Sequence, residues 1–200
     1  MRLGLDFDNT IISYDQLFLR VAVEKGLAPE SVSPHKNAVR DYLRQVNKEE
    51  EWTRLQGEVY GGRILEAAPY DGMFAALRVL SDSKIPVNIV SHKTRTPILG
   101  EPCDLHAAAR GWLVKQGFHD ADGLAWANDQ IFFELTKEAK VTRILSLGCT
   151  HYVDDLPEIL DMLPLGILKI LFSPNKEIHV HPEWTIMSSW AQLPTILHLK

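Results

Sequence analysis

The chain has 200 residues, 46% of them hydrophobic and 24% charged, which is ordinary globular composition and enough for one domain carrying an insertion. A net charge of −5 argues against a nucleic-acid-binding surface, where clustered Lys and Arg must neutralise phosphates. The two cysteines, Cys103 and Cys149, lie far apart without metal-ligand spacing, as expected of reduced thiols. The longest apolar run, 163–172, is broken by Pro164, Gly166 and Lys169 and is too short to span a bilayer. A single Arg before the first strand offers no signal peptide, so a cytoplasmic location with no membrane partner is expected.

The chain opens on a short apolar strand, Leu3-Gly4-Leu5, that runs into Asp6-Phe7-Asp8-Asn9-Thr10. Side chains two apart on an extended segment share a side, so Asp6 and Asp8 face one point while Phe7 packs the other way. Two carboxylates converging at a buried strand end repel each other and are costly to desolvate. A hard cation such as magnesium relieves both problems, and the combination suits phosphoryl transfer.

From Thr10 to Pro69 the pattern is helical. Leu17, Phe18, Val21 and Ala22 form one stripe, stopped by Gly26. Ser33-Pro34 reads as a cap and first-turn proline for a second helix with Ala38, Val39, Tyr42 and Leu43 on its buried face. A third helix carries Trp52, Leu55, Val59 and Tyr60 and ends at Gly61-Gly62; three such helices would make a small cap over the strand ends. Lys36, Arg40 and Arg44 form a solvated face. After Pro69 a helix from about Met73 leads into alternation: strand 86–91, helix 104–116, strand 129–135, a helix capped by Thr136, strand 149–154, a helix from Leu156, and strand 167–172. Such alternation predicts a parallel α/β sheet with right-handed crossovers and a ligand at the carboxyl ends of its strands.

Several residues sit at or just past those ends. Asp154-Asp155 closes the strand His151-Tyr152-Val153 and reads either as a second acidic pair or as a cap for the next helix. Glu158 reads as a helix-dipole residue. Ser91, ending PVNIVS, is a turn residue or a phosphate ligand, and the basic run His92-Lys93-Thr94-Arg95 that follows reads either as a contact to the leaving group or as electrostatic help without direct contact. On the helix after Thr136, Lys137 lies near the centre of the Val141–Ile144–Leu145 face and is the first choice to grip an anion; Lys140, on the flank, is the reserve. His179 and His181 lack a nearby third ligand and read as a surface loop.

Taken in order, Asp6-Phe7-Asp8-Asn9-Thr10, Ser91, the helix-start lysine and Asp154-Asp155 resemble the four motifs of the haloacid dehalogenase (HAD) superfamily, phosphatase branch. Asn9 stands where that family commonly has glycine. The resemblance implies a Rossmann-like α/β core, 1–13 and 70–200, with a helical cap inserted at 14–69. It implies Asp6 as nucleophile and Asp8 as acid–base. Magnesium would be held by Asp6, Asp8, Asp154 and Asp155, and the phosphate by Asn9, Thr10, Ser91, His92 and Lys137 or Lys140. The expected substrate is a small phosphorylated metabolite, a sugar phosphate or nucleotide-like monoester, and the reaction hydrolysis through an aspartyl-phosphate. A phosphotransferase or phosphomutase of the same fold, or a non-catalytic regulatory protein, are the alternatives. Tyr14, Gln16, Trp52, Arg54, Gln56 and Tyr60 are the cap residues that would choose the substrate, with Trp52 alternatively a core residue. The 94–100 loop and the tail after Ser173 match nothing in these motifs.

Overall fold

The computed structural model describes residues 1–175 and 181–199. In chain order the elements are β1 (Leu3–Leu5), β2 (Ile12–Ser13), α1 (Asp15–Glu24), α2 (Lys36–Gln45), α3 (Glu49–Tyr60), β3 (Ala68–Pro69), α4 (Met73–Asp82), β4 (Val87–His92) and α5 (Leu105–Lys115). There follow β5 (Ile131–Glu134), α6 (Lys137–Ser146), β6 (His151–Asp154), α7 (Pro157–Met162), β7 (Leu168–Phe172), β8 (Trp184–Met187) and α8 (Leu193–Ile196). Contacts divide these into two compact units: Met1–Ile12, Pro69–Lys93 and His119–Lys200 form one, Ser13–Ala68 and Thr94–Phe118 the other. The paired strands β2 and β3 mark where the chain leaves the first unit and returns to it.

The first unit is built on a six-stranded sheet in the order β5-β4-β1-β6-β7-β8, and every pairing in it is parallel. This is the α/β architecture expected from the alternating pattern. The central β1 is buried along its length, with Leu3 opposite Val87 on one side and His151 on the other. Gly4 is needed there: a Cβ at that position would meet the Tyr152 ring at 2.6 Å. Tyr152 is fixed by its hydroxyl, which donates to the Val90 carbonyl at 2.5 Å. Beneath it Ile144, Ile159, Leu160 and Leu171 form one apolar cluster. The tail after Ser173 is part of this unit. It supplies β8 as the sixth strand, and fully buried Trp190 donates from its indole to the Thr10 carbonyl at 3.0 Å.

The second unit is helical. Trp52 is buried against Phe18 with ring centroids 5.0 Å apart, and Tyr14 and Tyr60 meet edge-on at 4.8 Å, so these aromatics form the unit's own core. The start of α2 differs from expectation. Its N-cap is His35, not Ser33, and Asp15 supplies the missing acceptor by taking the Lys36 backbone N–H at 2.9 Å. α5 stands between β4 and β5 in sequence, yet it packs within the helical unit: its Trp112 indole donates to the Ala67 carbonyl and Lys115 to the Leu65 carbonyl. The 94–100 loop is seated on α3 at Gly57, where a Cβ would come within 2.5 Å of the Leu99 carbonyl oxygen.

Candidate active site

Asp6, Asp8, Lys93, Lys140, Asp154 and Asp155 all belong to the sheet-containing unit. Asp6 continues β1, its backbone N–H donating to the Val153 carbonyl at 2.9 Å, and its side chain is buried. Its Oδ1 accepts from Ser91 Oγ at 2.8 Å and from Lys140 Nζ at 2.6 Å. Lys140, itself only 1% exposed, donates also to Asp154 Oδ2 at 2.7 Å. The other Asp154 oxygen accepts the Leu156 backbone N–H at 3.0 Å, so one side chain both starts α7 and faces Lys140. Asp155 is half-buried, and Asp6, Asp154 and Asp155 each present an oxygen within 4.8 Å of the others.

Asp8 has a different partner. Lys93 Nζ donates to both of its carboxylate oxygens, at 2.9 and 2.8 Å. The Ser91–Asp6 and Lys93–Asp8 pairs are each separated by 85 positions in sequence. Neighbouring parallel strands run in step, and on each the side chains two apart point the same way. In sequence Lys93 stands within the basic run His92-Lys93-Thr94-Arg95. The signal that singles it out is its place two residues after Ser91, matching the step from Asp6 to Asp8.

Burial dominates the electrostatics. It pushes the Asp6 carboxyl up from 3.8 to about 7, with the Asp154 and Asp8 charges adding to the rise and Lys140 opposing it. Burial alone would favour neutral Lys140, but the Asp154 and Asp6 carboxylates outweigh it and hold the ammonium above the ordinary lysine range. Burial likewise raises the Tyr152 hydroxyl, which stays a neutral donor below the Lys140 ammonium.

Lys137 pairs with Glu158 at 2.7 Å, both side chains well exposed, and Lys140 takes the inward position expected of it. The reason is helical phase: Leu145 is 47% exposed, so the buried line of α6 runs through Lys140 and Ile144. Thr136 caps that helix as expected, accepting from the Ala139 N–H at 3.1 Å. Asn9 has a φ of 57°, a left-handed conformation that Asn tolerates better than most residues, which accounts for its standing in a position that favours glycine. Thr10 is fully buried, and its Oγ1 has no hydrogen-bond partner among the described residues. His92 Nε2 lies 3.2 Å from the Leu135 carbonyl. His181 stacks on Trp184; His179 lies outside the described residues. Of the cap candidates, Tyr14 and Trp52 are buried, Gln56 and Tyr60 half-buried, and Gln16 and Arg54 exposed.

The donor set fits a hard divalent cation. Every group in the Asp6, Asp154 and Asp155 cluster is a carboxylate oxygen. Within this group Lys140 pairs with Asp6 and Asp154, and Lys93 with Asp8.

No protein-family model matches the chain, and no curated protein matches it in sequence. Solved structures do. A haloacid dehalogenase-like hydrolase from Xanthomonas campestris superposes with a TM-score of 0.56 at 12% identity, covering 99% of this chain and 94% of its own. A HAD-superfamily hydrolase of subfamily IA from Geobacter sulfurreducens gives 0.58 at 11% identity, with 98% and 95% covered. A HAD phosphatase from Thermococcus onnurineus gives 0.54 at 15% identity, with 98% and 97% covered. The chain has the fold of the HAD-superfamily hydrolases. No helix among the described residues is long and apolar enough to cross a membrane.

Proposed function

We propose that this protein is a magnesium-dependent phosphatase of small phosphorylated metabolites that works through a phosphoaspartyl intermediate on Asp6. The observation that carries this reading is the setting of Asp6: a buried carboxylate at a strand end, bonded by Ser91 and Lys140, with Asp154 sharing the lysine. Both of those bonds fall on Oδ1, which leaves Oδ2 as the oxygen to attack phosphorus. Attack forms the Asp6–phosphorus bond as the ester P–O bond breaks, splitting one difficult displacement into two. Asp8, two residues on and partly open to solvent, gives its proton to the departing oxygen and then takes one from the attacking water. Ser91 Oγ and Lys140 Nζ are hydrogen-bond donors beside the nucleophile, where charge develops on the transferring group. The backbone of Asn9 and Thr10, together with His92, completes the phosphate-binding set, whereas the surface-paired Lys137 is left out of it. Magnesium, held by Asp6, Asp154, Asp155 and the Asp8 backbone carbonyl, would keep Asp6 ionised beside an anionic substrate.

The helical insertion, 14–69, is read as the cap that selects the leaving group. The buried Tyr14 and Trp52 are assigned to its core, which leaves Gln16, Arg54, Gln56 and Tyr60 as the selecting residues. A cytoplasmic location is part of the same reading. The test is a panel of phosphate monoesters assayed with magnesium and with chelator. Magnesium-dependent phosphate release that disappears in Asp6→Asn is the expected result. Turnover by a clean Asp6→Asn preparation would overturn the mechanism.

A further inference from the structure

Lys93 is a buried cation that the proposed mechanism does not use. Its residue is 4% exposed, and its position is fixed from several directions. The backbone N–H donates to the Glu134 carbonyl of β5 at 2.8 Å. The ammonium stands 5.7 Å from the centre of the Phe7 ring, and that ring in turn meets Phe133 edge-on at 5.5 Å. From this fixed position the ammonium bonds both oxygens of Asp8, whose own side chain keeps 21% of its surface open. A cation buried this deeply costs several kcal/mol of desolvation unless it is paired. The pairing is therefore a built contact and not a chance meeting of two surface groups. The two lysines of the site divide their work: Lys140 serves Asp6 and Asp154, and Lys93 serves Asp8.

We infer that Lys93 is the positioning residue for the acid–base Asp8, holding its carboxyl group toward the departing oxygen and stabilising the charge left on it once its proton has gone. The inference rests on the phosphatase reading. In the first half-reaction Asp8, protonated from solvent on the oxygen that gives up its Lys93 bond, passes that proton to the ester oxygen as the P–O bond breaks and the Asp6–phosphorus bond forms. The alcohol departs neutral, and Asp8 is left as a carboxylate facing the Lys93 ammonium. Lys93 keeps its own protons throughout and makes no bond to the substrate. Its contribution should therefore scale with how much the leaving group needs a proton.

The experiment compares wild type, Lys93→Met and Lys93→Arg on two esters: an alkyl phosphate, whose alkoxide must be protonated, and 4-nitrophenyl phosphate, whose leaving group departs as a stable anion. The readouts are kcat/KM, the single-turnover rate of Asp6 phosphorylation, and the inhibition constant of inorganic phosphate. A positioned general acid contributes about 10²- to 10⁴-fold, so Lys93→Met should lose about 10- to 100-fold on the alkyl ester and only a few-fold on the aryl ester. Phosphate inhibition should be unchanged. Lys93→Arg, which keeps the charge and can engage both oxygens, should recover part of the alkyl-ester rate. It also gives a readout if the methionine variant does not fold, because the proposal still requires its loss to be larger on the alkyl ester. Equal losses on the two esters would mean a purely structural role and overturn the inference while leaving the phosphatase reading intact. Weakened phosphate inhibition would mean direct contact with the phosphoryl group and overturn it equally. Absence of release from both esters by wild type would remove the phosphatase reading, and this inference with it.

Discussion

Lys140 donates to Asp6 at 2.6 Å from one turn inside α6, while Lys137, at the first position of the same helix, points to Glu158 on the surface. Three residues along a helix turn a side chain by nearly a full revolution but not quite, and here the remainder separates a fully buried cation from a solvated one. Lys140 ties the ends of β1 and β6 together through Asp6 and Asp154, so it is a structural cross-link as well as part of the carboxylate cluster.

This difference predicts very unequal variants. Lys140→Met strands two buried carboxylates without their cation, and removing one partner of a buried ion pair costs about 3–5 kcal/mol. Lys137→Met removes one exposed ion pair, worth at most about 1 kcal/mol. Urea unfolding of the two variants checks this. Equal stability losses would mean that Lys140 does not hold the strand ends together in solution.

The same residues show what the sequence made readable and what it did not. The sheet was legible because its strands are short apolar runs separated by helical stretches, and Asp6, Ser91 and Asp154 were legible because each ends such a run. The lysine was harder: counting Leu145 as buried shifts the centre of the α6 stripe toward Lys137, and only packing reveals that Leu145 is half open. Lys93 was hidden because strand alternation continues one residue past the last ladder position of β4, where a loop is the natural expectation. β8 lacked a signal of its own: it lies at the sheet edge, and only Met187 of its four residues is fully buried. α5 looked like a sheet crossover because sequence order says nothing about which neighbour a helix packs against. The cap of α2 could not be read locally, since its acceptor, Asp15, lies 21 residues away.

Trp190 carries a prediction about that tail. Its indole N–H satisfies the carbonyl of Thr10, a residue with no exposed surface, two positions beyond Asp8. Trp190→Phe keeps most of the ring volume against Phe172 but leaves that carbonyl without its donor, which costs about 1–3 kcal/mol. Trp190→Ala adds a cavity, and the total should reach about 3–5 kcal/mol. Denaturant unfolding of the pair separates the two contributions; a Phe variant as stable as wild type would show that the hydrogen bond does not form.

Gly4 offers a sharper steric test. An alanine Cβ would lie 2.6 Å from Tyr152 Cδ2 and 3.1 Å from Cys149 Sγ, and the ring cannot swing away while its hydroxyl is bonded to Val90. Gly4→Ala should cost about 1–3 kcal/mol as an overpacked core residue. Trimming the ring should relieve the clash, so in Gly4→Ala/Tyr152→Leu the two penalties should sum to less than their separate values. Strict additivity in that cycle would mean that the two residues do not press on each other.

The cation expected at Asp6, Asp154 and Asp155 is linked to a proton. The Asp6 carboxyl stands at about 7 in the folded chain against an ordinary value of 3.8, chiefly because it is buried. Between those two values the native protein holds a proton that the unfolded chain has released. The contribution of this group to the stability of the metal-free protein therefore falls as pH rises from about 4 to 7, and is level outside that window. This is the reverse of a salt-bridged surface aspartate, which loses stability toward acid. A divalent cation that needs the ionised carboxylate must displace the proton at low pH and meets no such competition above pH 7. Magnesium should then raise the unfolding free energy by about 2.7 kcal/mol at a hundred times its dissociation constant at pH 8, and the same concentration should do much less at pH 5. Thermal melts at both pH values, with potassium chloride at matched ionic strength as control and Asp6→Asn as the variant without the titrating group, give the comparison. A magnesium effect that is the same at both pH values, or that persists undiminished in Asp6→Asn, would place the cation somewhere other than this cluster.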